Sequence, residues 1–366
     1  MRFIFLTRTN WNEPPRIRHQ LAELLVSEGH DVVFFQKPVA RASLQDTSVK
    51  SSLTLSRYRS YVHHQLKFLT PLRWIDDWHV RTQLRARIAK LNVDAVVNFN
   101  YDYPFLRALF PNTPLIHLIN DDFVGSANAL HRPTAERLQT ATSASSDYTL
   151  CVSHQLLAEA RKATPDSALF LPWARREYRR PPTNPARDEL LYWGYINERI
   201  NFCDVTALLD SGVRINFVGQ VSDDARIATM LEHANATYQP PRPLAELADV
   251  VNRCSASILP YDLEFEPNLA ISMSNRGFEL LSWGLPLLFS NLPHLIDAPP
   301  GVLYKCMSVD DYRAAHAQAV RQFESMQDTI SAFLDDHYAE SRYRQLMKIL
   351  EQGAGRPSAP GSVGGG

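Results

Sequence analysis

Arg276 and Glu279 carry the clearest chemical signal in the chain, because they stand three residues apart in the segment Asn275–Asn291, NRGFELLSWGLPLLFSN. That spacing places both side chains on one face of a helix. The free amide groups and positive dipole end of a helix start, with an arginine beside them, can seat a diphosphate. A carboxylate one turn further on can accept hydrogen bonds from the vicinal hydroxyls of a sugar. The alternative interpretation is a surface ion pair on an ordinary helix.

The segment resembles the donor-binding signature of GT-B glycosyltransferases, of the family 1 and family 4 type found in bacterial polysaccharide assembly. The basic, aromatic, acidic, glycine and proline positions of that signature are filled in order by Arg276, Phe278, Glu279, Gly284 and Pro286. Ser282–Trp283 replace its usual small pair. The resemblance implies that Arg276 contacts the pyrophosphate of a nucleotide sugar and that Glu279 contacts its ribose. Gly277 and Phe278 would belong to the same donor site.

The resemblance also places donor contacts in loops that follow strands of the second half of the chain. Gly194 would lie against the pyrophosphate with Arg199 nearby, although Tyr195 replaces the arginine that the family has directly after this glycine. For Gly194 the alternative is a glycine that only serves its turn. Tyr238 would stack on the nucleobase, or would simply cap the end of a strand.

The loop before the signature helix would border the donor sugar. Retaining members of the family carry a glutamate eight positions before the signature glutamate, and that position is Ile271 here. The stereochemical outcome therefore stays open. Glu264, Glu266 or Asn268 would occupy similar space.

Two adjacent carboxylates, Asp121 and Asp122, follow the apolar run Leu115–Ile119 and are the candidate catalytic bases. A carboxylate at the end of a strand can accept the proton of an acceptor hydroxyl, whereas the alternative is a cap for the following helix. The loop after the first strand offers three acceptor-binding side chains, namely Trp11, Asn12 and Glu13. The other candidates for the base are Glu13, His19, Asp102 and His117.

The sequence predicts neither a metal site nor a resident cofactor. The Asp121–Asp122 doublet is not a D-x-D metal motif, and the four cysteines are too scattered for a zinc site or a disulfide framework. The first βα turn lacks G-x-G-x-x-G, which disfavours a nicotinamide or flavin. In the family that the chain resembles, helix dipoles and basic residues replace a divalent ion, so a nucleotide sugar is expected as co-substrate without an essential metal.

The chain has 366 residues, of which 45% are hydrophobic and 21% charged, an ordinary globular composition that fits two domains. No apolar run is long enough to span a bilayer, and the start MRFIFLTRTNW turns polar too soon for a signal peptide. A cytoplasmic protein is therefore expected. Because no nucleic-acid motif accompanies the charge, no nucleic-acid partner is expected.

Residues 41–90 depart from the overall net charge of -1, since they hold ten basic residues against three aspartates. Aromatic residues are interleaved with them, including Tyr58, Tyr61, Phe68, Trp74 and Trp78. A basic aromatic segment can lie on an anionic membrane surface, which would place the protein at the inner face of the membrane. The alternative is a solvated pair of helices.

The alternation of apolar strands and amphipathic helices predicts an α/β protein with two Rossmann-like domains. Strands are predicted at 2–7, 31–36, 95–99, 115–119, 148–152 and 168–171, and then at 190–193, 214–218, 256–259 and 287–289. The resemblance implies the GT-B arrangement, with the domains facing across a cleft and a C-terminal helix returning to the first. The predicted parts are an acceptor domain at 1–178, a linker at 179–188, a donor domain at 189–330, the returning helix at 331–352 and a disordered tail at 353–366.

These features together predict a hexosyltransferase-like enzyme. It would move a sugar from a nucleotide-sugar donor, UDP-linked by default, to a saccharide or lipid-linked saccharide, as in surface polysaccharide or glycoconjugate biosynthesis. Two alternatives stay open. A nucleotide-sugar 2-epimerase of the same fold would act without an acceptor, and a non-catalytic sugar-binding protein would keep the fold without the chemistry.

Overall fold

The computed structural model describes residues 1–13, 15–40, 44–62, 66, 68–178 and 187–354. The chain forms two compact units. Unit 1 comprises Met1–Val152, Leu156–Phe170 and the chain from Tyr343 onwards, whereas unit 2 comprises Ser153–Gln155 and Leu171–Arg342. Most of the predicted linker, 179–186, and most of the predicted tail, 355–366, lie outside the described residues.

The sheet of unit 1 has the strand order β3-β4-β2-β1-β5-β6-β7-β8, and every neighbouring pair is parallel except β3 and β4. Its strands are β1 (Arg2–Leu6), β2 (Asp31–Phe35), β3 (Thr47–Lys50), β4 (Leu53–Ser56), β5 (Ala95–Asn98), β6 (Leu115–Ile119), β7 (Tyr148–Cys151) and β8 (Ser167–Leu169). Its helices are α1 (Ile17–Ser27), α2 (Thr70–Ile88), α3 (Arg132–Ala144) and α4 (His154–Ala163). The central strands are continuous apolar runs because helices cover both faces of such a sheet.

The sheet of unit 2 has the order β11-β10-β9-β12-β13-β14 and is wholly parallel. Its strands are β9 (Glu189–Trp193), β10 (Arg214–Val218), β11 (Ala236–Gln239), β12 (Cys254–Leu259), β13 (Leu287–Ser290) and β14 (Leu303–Cys306). The helices after β9 are α5 (Phe202–Asp210), α6 (Ala225–Leu231), α7 (Ala248–Val251), α8 (Glu266–Leu269), α9 (Asn275–Ser282), α10 (Val309–Asp335) and α11 (Ala339–Ala354).

Each sheet grows outward in both directions from its first strand, so each has a point where the strand order reverses. In unit 1 this point lies between β1 and β5, and in unit 2 it lies between β9 and β12. In open parallel sheets the loops at the carboxyl ends of such strands diverge and leave a crevice for a ligand. These two places are therefore where functional side chains are expected.

The predicted α/β class with two parallel, Rossmann-like sheets is confirmed, but several elements differ from the sequence prediction. Four strands were not predicted, namely β3, β4, β11 and β14. Between β11 and β12 the chain forms a short 3-10 turn, Leu244–Glu246, followed by α7. β3 escapes periodicity analysis because its sequence is polar and all four of its residues are exposed.

The helix predicted at 331–352 is wrong in its bounds, because the chain breaks between α10 and α11. The break follows from a tertiary contact in unit 2: the amide of Ala174 donates to the carbonyl of His337 at 2.8 Å, and Ala174 pairs with Tyr338 as a β-bridge. Beyond the break, α11 enters unit 1. There the hydroxyl of Tyr343 lies 2.8 Å from Nε2 of His30.

Candidate active site

Arg276 lies at the point of strand-order reversal in unit 2. Its Nη1 donates to the carbonyl of Trp193, the last residue of β9, at 2.9 Å, and its Nη2 donates to the hydroxyl of Tyr261, just beyond β12, at 2.8 Å. The guanidinium also lies 4.9 Å from the ring centroid of Tyr192. All these partners are neutral. Among the described residues no carboxylate lies within ion-pair distance of Arg276, so its charge is free to attract an anion.

Two glycines, Gly194 and Gly219, allow close backbone contacts beside this guanidinium. Gly194 has φ +135°, and a Cβ built there would lie 2.3 Å from Nη1 of Arg276. Gly219 directly follows β10 and packs against the backbone of Gly194. A Cβ at position 219 would lie only 1.7 Å from the carbonyl oxygen of Gly194. The two strand ends therefore approach backbone to backbone. Glycine at position 194 lets the end of β9 approach the Arg276 guanidinium closely.

The start of α9 is formed by Ser274, whose hydroxyl accepts a hydrogen bond from the amide of Gly277 at 3.1 Å. This N-cap fixes the helix start next to Arg276. A Cβ on Gly277 would come within 2.5 Å of the sulfur of Met273, so glycine allows close packing here. Phe278 is fully buried, and its ring centroid lies 5.0 Å from that of His337. Its role in the described structure is therefore packing.

Glu279 forms an ion pair with Arg175. Its carboxylate lies 3.5 Å from Nε of Arg175, and only 13% of the side chain is exposed. Burial raises the pKa of Glu279 from 4.5 to about 7, Arg175 opposes this rise, and Glu177 adds to it. No ion pair joins Arg276 to Glu279, so the surface ion pair that the sequence left open between these two residues is not formed.

Two other predicted donor residues, Arg199 and Tyr238, lie near the carboxyl ends of the strands of unit 2 and differ in exposure. The half-buried Arg199 lies over the ring of Phe265, 5.8 Å from its centroid. Its charge opposes the rise that burial causes in the pKa of Tyr192. Tyr238, in β11, is 44% exposed, and its hydroxyl donates to the carbonyl of Gly219 at 3.3 Å. An exposed aromatic ring tethered at this strand end can still offer a face to a base.

Asn268 is placed differently from the sequence prediction. It is fully buried, and its Nδ2 donates to the carbonyls of Arg199 at 3.0 Å and of Asp262 at 2.9 Å. Asn268 therefore ties the loop after β9 to the loop after β12 and presents no surface to a sugar. Sequence analysis missed this because an asparagine near a helix start gives no sign of whether it will be buried.

In unit 1 the two candidate bases have separate environments. Asp122 accepts a hydrogen bond from the amide of Gly125 at 2.7 Å, so it caps the turn that follows β6. Asp121 is exposed and lines a pocket at the carboxyl ends of the strands. Its Oδ1 accepts from the amide of Asp122 at 3.0 Å. Of the pair, Asp121 is the residue with a carboxylate facing open space.

The three predicted acceptor residues are not equivalent either. Trp11 packs edge-on against Phe34, with ring centroids 5.1 Å apart, and against His19 at 5.3 Å. Asn12 is exposed, and Glu13 lines the same pocket as Asp121. The carboxylate of Glu13 accepts from the backbone amide of Asn10 at 3.0 Å and from its side chain at 3.1 Å, contacts that lower the pKa of Glu13.

The histidine and aspartate alternatives for the base are occupied by structural contacts. The Nδ1 of His19 accepts from the amide of Arg16 at 3.1 Å, and its Nε2 lies 3.1 Å from the carbonyl of Asn10. His117 is buried against Ser143, and burial lowers the pKa of His117 to about 3. Asp102 is buried and forms an ion pair of 2.6 Å with Arg8.

Sequence analysis missed the cationic character of the pocket in unit 1. The pocket, of about 270 Å³, lies where β1, β2, β5 and β6 end, and it is lined by Arg8, Thr9, Glu13, Arg16, Arg18, Lys37, Phe99, Asn100, Tyr101, Asp121 and Phe123. The arginines of the βα turn, Arg16 and Arg18, were the available signal. In the described part of the chain, no three side chains of the metal-ligating types converge as a metal site.

Comparison with known proteins shows which family model and which folds this chain is similar to. Residues 16–168 match the family model Glycosyltransferase Family 4. Curated protein sequences give no match. A sucrose-phosphate synthase from Thermosynechococcus elongatus has a similar structure, with a TM-score of 0.70, 13% identity and coverage of 96% of this chain and 98% of that chain.

Two other solved structures are similar over 96% of this chain and 99% of their own. One is the lipopolysaccharide outer core galactosyltransferase WaaB, with a TM-score of 0.68 and 11% identity. The other is a UDP-forming α,α-trehalose-phosphate synthase from Burkholderia xenovorans in complex with glucose-6-phosphate, with a TM-score of 0.68 and 12% identity. The fold is thus the GT-B fold, and the match of residues 16–168 to a glycosyltransferase family model supports an enzyme that transfers sugars.

Proposed function

We propose that the enzyme transfers a sugar from a nucleoside diphosphate donor, UDP-linked by default, to a saccharide or lipid-linked saccharide in surface polysaccharide or glycoconjugate assembly. The observation that carries the proposal is Arg276, a guanidinium held by neutral acceptors where the strand order of unit 2 reverses. An arginine at a capped helix start favours a diphosphate, because charge and backbone amides act together. Gly194 leaves the approach to it open.

In this proposal the donor diphosphate is also the leaving group of the reaction. Negative charge grows on the diphosphate as the bond from the sugar C1 to oxygen breaks, and Arg276 stabilises that charge, with Arg199 as the second cation. Glu279 accepts hydrogen bonds from the ribose, and Tyr238 offers its ring to the base. Asp121 takes the proton of the acceptor hydroxyl. Because cations of the chain neutralise the leaving group, we propose that no divalent metal is needed, and transfer in EDTA should match transfer in magnesium.

The membrane contact is a second part of the proposal. We propose that the exposed face of α2 lies on an anionic membrane surface, which would bring the cytoplasmic enzyme to a lipid-linked acceptor. Trp74, Ile75 and Trp78 are 67%, 61% and 68% exposed on this face, whereas Val80 and Leu84 on the opposite face are buried. Arg81 and Arg85 continue the stripe of Trp74 and Trp78 at helical spacing. None of the helices in the described part of the chain combines the length and hydropathy that a membrane crossing needs.

The proposal is tested first by ligand binding. Thermal denaturation is measured with UDP, GDP, dTDP and CMP compounds, since a ligand at a hundred times its Kd stabilises the folded protein by about 2.7 kcal/mol. Stabilisation by one nucleoside diphosphate is the expected result. No stabilisation by any of them contradicts the donor assignment.

Turnover then separates the alternatives. The nucleotide sugar that binds is incubated with the enzyme alone and with saccharide acceptors, and the products are analysed by mass spectrometry and NMR. Transfer to an acceptor supports the proposal, and an epimerised donor formed without acceptor supports a 2-epimerase. Tight binding with neither transfer, hydrolysis nor epimerisation supports a non-catalytic sugar-binding protein.

A further inference from the structure

Arg18 is the least expected charge in unit 1. It is the second residue of α1 and is only 5% exposed, yet it lines the pocket at the carboxyl ends of the strands. Its Nη1 donates to the hydroxyl of Thr9, its guanidinium lies 5.8 Å from the ring centroid of Phe99, and its buried Nε has no hydrogen-bond partner. Among the described residues no carboxylate lies within ion-pair distance of this guanidinium.

A buried charge without a counter-ion is costly, because the desolvation of the ion is not offset. Burial and, to a smaller extent, the nearby Arg16 lower the pKa of Arg18 to about 10, while Asp121 and Glu13 oppose this, so the guanidinium is still charged at neutral pH. A protein that keeps such a group facing a pocket can gain the missing interaction from a ligand anion.

The surroundings of Arg18 favour an anion of more than one charge. Arg16 and Lys37 line the pocket from exposed positions, and Arg8 lines it while paired with Asp102. The helix α1 begins at Ile17, so the positive end of its dipole adds to the same field. Two carboxylates, Glu13 and Asp121, also line the pocket, but its four basic side chains outnumber them.

We propose that this pocket is an anion site centred on Arg18 and that it binds a phosphoryl group of the acceptor. The assignment to the acceptor rests on the proposed glycosyltransfer, because Asp121 lines the same pocket and would face a hydroxyl near the bound phosphate. Several cations around one buried guanidinium exceed what a single carboxylate needs and match a phosphate dianion. The acceptor is then a sugar phosphate or a saccharide linked to a lipid phosphate.

The test compares the wild type with Arg18→Met, and with Arg137→Gln as a control that removes an exposed arginine of the same unit. Binding of inorganic phosphate, glucose 6-phosphate and glucose is measured with saturating UDP, so that the donor seat is filled. The phosphates should bind the wild type and the control, and glucose should not. Arg18→Met should weaken phosphate binding by about ten- to a hundredfold.

Two further readouts exclude a folding defect. Without ligand, Arg18→Met should melt no lower than the wild type, because it removes an uncompensated buried charge, and its UDP affinity should be unchanged. Vesicles of phosphatidylcholine with a minor fraction of phosphatidic acid, compared with pure phosphatidylcholine vesicles, distinguish a lipid phosphate from a soluble sugar phosphate.

Arg18-dependent binding of either phosphate source supports the anion site. Equal phosphate affinity in the wild type and Arg18→Met overturns it, as does the absence of binding to both sources. If UDP fails to bind but Arg18-dependent phosphate binding persists, the proposed donor function fails and the anion site stands.

Discussion

Arg276 in unit 2 and Arg18 in unit 1 are guanidinium groups held by uncharged partners. Arg276 donates to a backbone carbonyl and a phenol, and Arg18 donates to a threonine hydroxyl. Such partners fix the orientation of a guanidinium without neutralising it. Both residues also lie at the carboxyl ends of parallel strands, where the loops leave space for a ligand. Their position, and the absence of an ion-pair partner for either among the described residues, together argue for anion binding.

Replacing Arg276 should weaken nucleotide binding more than it weakens folding. Arg276→Ala is expected to reduce affinity for the bound nucleoside diphosphate by about 1.5–3 kcal/mol, the range for hydrogen bonds to a charged group, as measured by calorimetry. Arg276→Lys should restore little, because an ammonium lacks the planar fork. Arg253→Ala, which removes an arginine paired with Glu189 at the other end of β9, is the control. Equal affinity in wild type and Arg276→Ala would remove Arg276 from the donor site.

Glu279 should make both protein stability and UDP binding depend on pH. Its pKa lies at about 7 in the folded protein and at 4.5 ordinarily, so the folded state holds this proton more tightly than the unfolded chain does. Its contribution to stability is therefore full below pH 4.5 and is lost as the pH rises through about 7. An ionised carboxylate accepts hydrogen bonds from hydroxyls more strongly than a protonated one, so UDP binding should tighten by about tenfold between roughly pH 6 and pH 8.

The phosphate of UDP titrates in the same range, so the difference between variants is the readout. Glu279→Gln should flatten the part of the profile that Glu279 causes, whereas Glu232→Gln, at an exposed position of unit 2, should leave the whole profile unchanged. Identical pH profiles for the wild type and Glu279→Gln would leave Glu279 as the structural partner of Arg175. In that outcome the variant would differ only in melting temperature.

At the level of elements, α2 has two faces with opposite character. Asp76, Val80, Leu84 and Ile88 face the interior of unit 1, and Asp76 accepts a hydrogen bond from the hydroxyl of Ser60 at 2.9 Å. The other face exposes two tryptophans, and two arginines follow them along one stripe, Arg85 exposed and Arg81 half-buried. Exposed aromatic side chains beside basic residues suit the interface of an anionic membrane, where rings enter the headgroup region and cations meet lipid charge.

The α2 face predicts a measurable association with lipid. Wild-type protein should float with vesicles containing phosphatidylserine at low salt, and the bound fraction should fall as salt rises, because the Debye length shrinks to about 8 Å at 0.15 M. The double variant Trp74→Ser, Trp78→Ser should lose most of this association. Met307→Ser, which removes an apolar side chain 75% exposed on unit 2, should not. Absence of wild-type association at low salt would favour a soluble acceptor.

At the level of the whole molecule, the two units carry different tasks in the proposal. Unit 2 holds the donor through Arg276, and unit 1 supplies the base through Asp121. A substitution of the base should therefore slow transfer without weakening donor binding. Asp121→Asn is expected to reduce the transfer rate by about 10²–10⁴-fold while the affinity for UDP stays unchanged. Rates are measured with saturating donor. Asp122→Asn, which alters the turn at Gly125, is the matched control, and transfer by Asp121→Asn at the wild-type rate would exclude Asp121 as the base.

Much of the fold was predictable because its signals are local. Apolar runs such as Phe3–Leu6 and Ile116–Ile119 mark buried parallel strands, and the segment at Asn275–Ser282 shows its helix start through capping and its end through Gly284, which has φ +79°. The position of Arg276 at the start of this helix followed from the same local pattern. These properties depend on neighbours within a few residues, so the sequence by itself determined them.

Only the tertiary structure decided which side chains are free to act. Asn268 donates to two carbonyls that are distant in sequence, and Glu279 forms an ion pair with Arg175 of another segment. Asp122 caps a turn, whereas Asp121 is exposed. Arg18 becomes a buried charge, without an ion pair among the described residues, only when α1 packs on the sheet. Burial and partner choice depend on segments that are far apart in the chain, and no spacing or periodicity within one segment encodes them.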